Sequence, residues 1–244
     1  MRERLYLFDV DGTLTPPVAF VDEEFAEVFL RWAKGKKVYL VTGSDIQKIK
    51  KQLFSAFIDR CEGIFTCSGN VFYSKGRLVY QNELELPAGF IENLELYLEQ
   101  GSEWQTKTGN HIEIRKGAVN FTTVGRNASA NLREAYANWD RERGEREDIA
   151  DYIKNLYPQF EVAIGGQISV DIYPVGYNKA QVVKKLLSKH GADTSMIFVG
   201  DRNVPGGNDW PLAQHLDTLD NSHWFHVNNY RETRALIEQN ELFI

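Results

Sequence analysis

Short apolar runs alternate with helical patterns in the first part of the chain. Leu5–Phe8, Val38–Val41 and Gly63–Cys67 have the length and apolar content of buried parallel strands. Between them, Asp22 is a plausible N-cap for a helix to about Ala33, and apolar residues recur at helical spacing from Ser44 to about Phe57. This β-α-β-α-β order predicts a parallel sheet with right-handed crossovers.

The pattern then becomes antiparallel in style before the parallel pattern resumes. The predicted elements are a hairpin over Val71–Tyr80, a helix over Pro87–Glu99, strands over Gly109–Lys116 and Ala118–Val124, helices over Asn131–Arg143 and Glu147–Leu156, a hairpin over Phe160–Tyr173, a helix over Lys179–His190, strands over Met196–Val199 and Trp224–Val227, and a helix over Arg231–Gln239. The predicted fold class is therefore α/β. A Rossmann-like parallel-sheet core (residues 1–82 and 175–244) is interrupted by a domain-sized α+β cap with an antiparallel sheet (residues 83–174).

Composition favours a soluble cytoplasmic protein. Of the 244 residues, 43% are hydrophobic and 25% charged, and no apolar run is long enough to span a membrane. The N-terminus enters a strand almost at once, so we expect no signal peptide. Net charge is −6 without a basic stripe, which argues against nucleic acid as a partner. Cys61 and Cys67 do not suggest a disulfide framework.

Two carboxylates follow the first predicted strand. Because strand side chains alternate, Asp9 and Asp11 are expected on the same side, and Gly12 allows a sharp exit of the backbone. Two like charges held together favour a cation between them or a proton on one of them. An acidic turn is the simpler interpretation, since Asp-Gly is a common turn pair. It does not explain why an apolar strand ends in Asp-x-Asp-Gly-Thr.

Another carboxylate is predicted at the same sheet edge. Asp201 follows the strand over Met196–Val199, and with Asp9 and a backbone carbonyl near Asp11 it forms an oxygen site that suits Mg²⁺. Asn208 and Asp209 are further ligands or hold the ligands in place. Taken alone, Asp201 could be an ordinary turn residue, but together with Asp9 and Asp11 it makes the metal site the stronger interpretation.

Three further side chains are candidates for phosphate chemistry. Lys179 is predicted in the first turn of its helix, where the helix dipole disfavours a cation, so pairing with Asp9 and a phosphoryl group would explain its position. A solvated surface lysine is the alternative. Thr42 and Ser44 offer hydroxyl groups, and the predicted helix start at Ser44 offers backbone N–H groups, to phosphate oxygens. Either residue could instead be an N-cap.

The segment Asp9-Val10-Asp11-Gly12-Thr13 resembles the nucleophile loop of the haloacid-dehalogenase-like phosphotransferases. The resemblance implies that Asp9 attacks phosphorus and that Asp11 acts as general acid and base. A carboxylate nucleophile forms a covalent aspartyl-phosphate and so divides one difficult transfer into two easier steps.

Further motifs, in order along the chain, resemble the eukaryotic-type phosphomannomutases of that superfamily. The matching positions are Asp9–Thr15, Gly43–Asp45, Arg115, Gly125-Arg126, Arg133, Gly165–Asp171, Asn178-Lys179 and Gly200–Asp209. The resemblance implies a sugar-phosphate site between core and cap. In this site Arg115, Arg126 and Arg133 bind the distal phosphate, and Ser169 and Asp171 contact the sugar. It also implies Mg²⁺, a hexose bisphosphate activator and a homodimer through the cap.

The chain departs from the family pattern in three places. Val18 stands where the family has a substrate-contacting arginine, and Thr66–Asn70 differs from the usual sequence. His215 stands at an acidic position of a second cation site, unless Asp217 fills that position through a shift of register. We expect Mg²⁺-dependent interconversion of mannose 6-phosphate and mannose 1-phosphate, or of a related hexose phosphate. Val18 favours the alternative, a sugar-phosphate phosphatase. An inactive sugar-phosphate-binding protein is a third interpretation, disfavoured by the intact acidic motifs.

Overall fold

Two units make up the computed structural model, which describes residues 3–243. The core unit contains Met1–Gln81 and Tyr177–Ile244, and the inserted unit contains Asn82–Gly176. No helix within residues 3–243 combines the length and apolar character needed to cross a membrane.

The regular elements follow the predicted order with several shifts in their bounds. The strands are β1 (Arg4–Phe8), β2 (Lys37–Val41), β3 (Gly63–Thr66), β4 (Val71–Ser74), β5 (Arg77–Gln81), β6 (Ile112–Arg115), β7 (Ala118–Phe121), β8 (Phe160–Gly165), β9 (Ser169–Pro174), β10 (Ser195–Gly200) and β11 (His223–His226). The helices are α1 (Glu23–Trp32), α2 (Ile46–Gln52), α3 (Ser55–Arg60), α4 (Phe90–Leu96), α5 (Ala130–Arg143), α6 (Glu145–Leu156), α7 (Gln181–His190), α8 (Trp210–Leu216) and α9 (Tyr230–Glu238).

The core unit is built on a seven-stranded sheet in the order β11-β10-β1-β2-β3-β4-β5. The pairs from β11 to β3 are parallel, and the β3–β4 and β4–β5 pairs are antiparallel. The central strands are apolar throughout because both faces are covered: Phe8 packs with Phe25 and Phe29 of α1 on one face, and Leu7 packs with Val183 of α7 on the other. The predicted α/β class is confirmed.

The inserted unit has a four-stranded antiparallel sheet in the order β6-β7-β9-β8. Val119, Phe121 and Ile172 pack with Ile149 and Ile153 of α6 in the core of this unit. The alternation along β7 and β9 places Asn120 and Asp171 on the opposite face, and their registered pairing brings the two side chains together. Both side chains are buried on that face.

Two local predictions were wrong, and one helix was missed. The helix expected over Ser44–Phe57 is two helices, because Leu53 leaves the helical conformation (φ −122°, ψ 141°). The N-cap of the first of these helices, α2, is Asp45, whose carboxylate accepts a hydrogen bond from the Lys48 N–H. Helix α8 was not predicted. Lys179 lies in the turn before α7 rather than in its first turn.

Candidate active site

Three aspartates converge at the carboxyl edge of the core sheet. Asp9 follows β1, Asp201 follows β10, and Asp209 precedes α8. The adjacent strands β1 and β10 are parallel, so their carboxyl ends meet at one edge. One carboxylate oxygen from each aspartate lies within 4.8 Å of the others. Gly12 permits the close approach of its loop, because a Cβ there would lie 2.5 Å from Asp201 Oδ2.

Lys179 joins two members of this acidic cluster. Its fully buried Nζ donates hydrogen bonds to Asp9 Oδ1 at 2.7 Å and to Asp209 Oδ1 at 2.6 Å. Burial alone would lower the pKa of Lys179, but the charges of Asp209 and Asp9 outweigh burial and raise it. The lysine is therefore a permanent cation held between two carboxylates, and the surface-lysine interpretation is wrong.

Burial and the excess of negative charge together raise the pKa values of two aspartates in the cluster. Burial, with repulsion from Asp209 and Asp201, raises the pKa of Asp9 well above its ordinary value despite the opposing effect of Lys179. Burial, then Asp209, raises the pKa of Asp201 to about 6. Two carboxylates whose pKa values rise for this reason are suited to bind a further cation.

Two buried oxygen atoms fit that cation. Asp201 Oδ1 and Asn208 Oδ1 have no hydrogen-bond partner in the described part of the chain. Asp209, in contrast, already accepts two hydrogen bonds, from Lys179 at its Oδ1 and from the Arg202 N–H at its Oδ2 (3.0 Å). The donor set is made of carboxylate and amide oxygens, which suits a hard divalent cation such as Mg²⁺.

Asp11 has a separate environment. Its Oδ1 accepts from the Val18 N–H at 2.9 Å and from Gln52 Nε2 at 2.8 Å. Its Oδ2 accepts from Ser44 Oγ at 2.9 Å and from Lys48 Nζ at 2.5 Å. Burial pushes the pKa of Asp11 upward, but the Lys48 charge and these hydrogen bonds outweigh burial and hold it below the ordinary value. Asp9 and Asp11 therefore each pair with a different lysine and do not share a single protein cation.

Lys48 and Gln52 were missed in the sequence, although a signal was present. Ser44, Lys48 and Gln52 are spaced four residues apart, which places successive side chains on one face of a helix. Ser44 itself lies one residue before the Asp45 N-cap, and its hydroxyl donates to Asp11, whereas the Thr42 hydroxyl accepts the Ser44 N–H at 3.1 Å.

Val18 adopts a left-handed backbone conformation while supplying its N–H to Asp11. Its φ is +62°, which is strained for a β-branched residue, and its side chain is 70% exposed. Val18→Gly keeps the N–H and removes the strain, so we expect unfolding by urea to require about 1 kcal/mol more free energy. Val79→Gly, at an exposed position in β5, should instead lose about 0.5–1 kcal/mol. Equal losses in the two variants would contradict the strain at Val18.

The three arginines expected to bind phosphate lie in one cluster of the inserted unit. Arg115 donates to Glu113 Oε2 (2.6 Å from Nη2) and to Asp171 Oδ1 (3.4 Å from Nη1). Arg126 forms an ion pair with the same Glu113 oxygen at 3.0 Å, and its Nη1 donates a hydrogen bond to a side-chain amide oxygen in β7. Arg133 donates to the carbonyl of Arg126 at 2.6 Å, so it supports the loop that carries Arg126.

The charge of this cluster is only partly balanced. Burial, with repulsion from Arg115, lowers the pKa of Arg126 even though Glu113 opposes the change. An anion near Arg126 would relieve that repulsion. Ser169 lies at the start of β9, two residues before Asp171, and therefore on the same side of the strand.

The chain is similar to known phosphomannomutases along most of its length. A family model described as eukaryotic phosphomannomutase matches residues 25–240. The phosphomannomutase of Galdieria sulphuraria is 32% identical over 238 residues, covering 90% of this chain and 89% of that protein. Phosphomannomutase 2 of Dictyostelium discoideum is 31% identical over 222 residues, covering 88% of each chain.

Solved structures show the same fold. A haloacid dehalogenase-like hydrolase from Bacteroides thetaiotaomicron has a TM-score of 0.61 at 14% identity, covering 98% of this chain and all of that one. A trehalose-6-phosphate phosphatase related protein has a TM-score of 0.56 at 20% identity, covering 98% of this chain and 97% of that one.

Proposed function

The chain belongs to the eukaryotic phosphomannomutase family, and we propose that it interconverts mannose 6-phosphate and mannose 1-phosphate through an aspartyl-phosphate on Asp9. The observation that carries the proposal is the division of roles at the sheet edge. Asp9 lies in a buried cluster with Lys179 and Asp201, whereas Asp11 is held apart by its own donors. One carboxylate is thereby suited to nucleophilic attack and the other to proton transfer.

The proton balance of a mutase suits the state of Asp11. In the phosphoenzyme, ionised Asp11 accepts the proton of a sugar hydroxyl as its oxygen attacks phosphorus, and the bond from phosphorus to Asp9 breaks. The resulting hexose bisphosphate reorients. Asp9 then attacks the other phosphate, and Asp11 returns the proton to the departing sugar oxygen. The low pKa of Asp11 fits the first of these steps, and the cycle itself supplies the proton for the second.

Mg²⁺ is the proposed cofactor. Asp9, the backbone carbonyl of Asp11, Asp201 and Asn208 would hold it, while Asp209 fixes Lys179. When bound, Mg²⁺ would neutralise negative charge near the transferred phosphoryl group. Lys179 supplies a fixed positive charge beside the nucleophile from the protein itself.

The inserted unit supplies the proposed sugar-phosphate contacts. Arg115 and Arg126 would bind the distal phosphate through their planar guanidinium groups, and Arg133 would hold the Arg126 loop in place. Ser169 and Asp171 would contact sugar hydroxyl groups. A cytoplasmic homodimer, primed by a hexose bisphosphate, completes the proposal.

Phosphorus NMR of mannose 1-phosphate with the protein, Mg²⁺ and catalytic mannose 1,6-bisphosphate tests this function. Appearance of the mannose 6-phosphate resonance supports a mutase. Release of inorganic phosphate without isomerisation supports the alternative, a sugar-phosphate phosphatase, which the exposed Val18 favours because it presents no guanidinium group to the substrate. Persistence of the starting resonance would contradict both enzymes.

The stabilising effect of Mg²⁺ should increase with pH. An acid whose pKa is higher in the folded than in the unfolded protein stabilises the fold when it is protonated. The contribution of Asp201 to the free energy of unfolding is therefore lost as pH rises from 3.8 through about 6. Mg²⁺ requires the ionised form and stabilises most above that range. At [Mg²⁺] near a hundredfold its Kd, we expect about 2.7 kcal/mol of stabilisation at pH 7 and much less at pH 5. Thermal unfolding with Mg²⁺ or EDTA measures this, and equal shifts at both pH values would refute it.

Loss of the guanidinium group of Arg126 should weaken substrate binding. A charge-assisted hydrogen bond is worth about 1.5–3 kcal/mol, so Arg126→Met should raise KM for mannose 1-phosphate by roughly 10–150-fold. Arg141→Met, on the exposed part of α5, serves as the matched control and should leave KM unchanged. Steady-state kinetics would disprove the role of Arg126 if both variants behaved alike.

A further inference from the structure

Lys48 has contacts that no role in α2 itself requires. Its Nζ donates to Asp11 Oδ2 at 2.5 Å and to Ser44 Oγ at 3.0 Å, and Ser44 Oγ donates to the same Asp11 oxygen at 2.9 Å. Lys48, Ser44 and Asp11 Oδ2 therefore form a closed triangle of hydrogen bonds. Gln52, one turn further along α2, and the Val18 N–H bind the other Asp11 oxygen.

This arrangement fixes the plane of the Asp11 carboxylate. A carboxylate bound on one oxygen can still rotate about its Cβ–Cγ bond, but donors on both oxygens from two chain segments restrict that rotation. Lys48 is the one positively charged donor of the set, so its hydrogen bond to the ionised Asp11 carboxylate also carries the attraction between opposite charges, which the neutral Gln52 lacks. Its loss should therefore disturb the orientation of Asp11 more than the loss of Gln52.

Orientation matters only in steps where Asp11 moves a proton. General acid–base catalysis requires the donor within about 2.6–3.2 Å of the reacting oxygen. A misplaced carboxylate slows cleavage of a phosphate ester whose leaving oxygen needs a proton. It has little effect on an ester whose leaving group departs as a stable anion.

We propose that Lys48 is a positioning residue for Asp11. It affects the proton transfer between Asp11 and the sugar oxygen and takes no direct part in forming the bond between Asp9 and phosphorus. The proposal rests on the proposed aspartyl-phosphate chemistry. In the step concerned, a bond forms from an Asp9 carboxylate oxygen to phosphorus while the bond from phosphorus to the sugar oxygen breaks. The electron pair of the broken bond stays on the sugar oxygen, which takes the proton that Asp11 carries in this step. In the resting enzyme, where no earlier half of the cycle has delivered that proton, Asp11 first takes it from solvent.

A comparison of two phosphate donors separates positioning from a merely structural role. Mannose 1,6-bisphosphate has a sugar alkoxide leaving group that needs a proton, whereas p-nitrophenyl phosphate releases the stable p-nitrophenolate anion. For Lys48→Met we expect the single-turnover rate of Asp9 phosphorylation to fall by about 10²–10³-fold with the bisphosphate. With p-nitrophenyl phosphate it should fall less than about threefold, because no proton is needed.

Three control variants define the outcome. Lys51→Met, an exposed lysine on the same helix, should match the wild type with both donors. Asp11→Asn should show the same selective loss as Lys48→Met, and Lys48→Arg should recover part of the rate with the bisphosphate. If Lys48→Met does not fold, Lys48→Gln takes its place with the same expected pattern.

An equal loss with both donors would overturn the proposal, because a general structural defect slows every phosphorylation alike. Unchanged rates with both donors would also overturn it. Failure of the mutase proposal is read separately, from wild-type hydrolysis of mannose 1-phosphate without isomerisation. A phosphatase would still have to protonate the sugar oxygen, so the donor comparison would remain decisive for Lys48.

Discussion

Asp9→Asn is expected to reduce turnover by at least about 10⁴-fold, because the amide that replaces the carboxylate is not a nucleophile toward phosphorus. The substitution changes little else in shape. The Asn amide oxygen can still accept the hydrogen bond that Lys179 Nζ now donates to Asp9 Oδ1 at 2.7 Å. It also removes one negative charge from a cluster in which the Asp9 pKa is already raised, so loss of folding is not the expected cause of inactivity.

The measurement is twofold. Phosphorus NMR follows isomerisation, and intact-protein mass spectrometry after incubation with mannose 1,6-bisphosphate detects a covalent phosphoryl group. Wild-type protein and the exposed control Asp193→Asn should both isomerise the substrate and carry the group, and Asp9→Asn should do neither. A phosphorylated Asp9→Asn protein would place the nucleophile on another residue.

The sequence predicts the framework of this site better than its details, and the reasons are physical. β1, β2 and β10 are buried on both faces, so their apolar runs are long enough to recognise, and the carboxylates that follow them can be located at one edge. The cluster of Asp9 and Asp201 follows from that topology alone.

Details that depend on packing between distant segments were not predictable in the same way. The sequence around Leu53 is compatible with one continuous helix, yet the backbone of Leu53 is extended. The side chain of Leu53 packs in the core with that of Phe57. The fully buried position of Lys179 depends on two aspartates far away in the chain. The spacing of Lys48 from Ser44 could in principle have indicated the contact between Lys48 and Asp11. The position of α2 against the loop that carries Asp11, however, depends on tertiary packing.

Lys179→Met is expected to lower the free energy of unfolding by about 3–5 kcal/mol in EDTA, because it leaves buried carboxylates without their cation. Methionine fills the space of the lysine stem, so the loss is not a cavity effect. Both Asp9 and Asp209 face the lost ammonium group, and the side chain of Asp209 is fully buried. Activity should fall with stability, since the same charge lies beside the nucleophile.

Two comparisons connect this loss of stability to charge. Addition of Asp209→Asn to Lys179→Met should restore part of the stability, because it removes one of the uncompensated charges and the two residues are in contact. Lys184→Met, an exposed lysine on α7, should stay within about 0.5 kcal/mol of the wild type. Urea unfolding curves in EDTA measure all three variants. If Lys179→Met were as stable as Lys184→Met, the buried ammonium group would not be what holds the carboxylates together, and the site would have to keep them protonated instead.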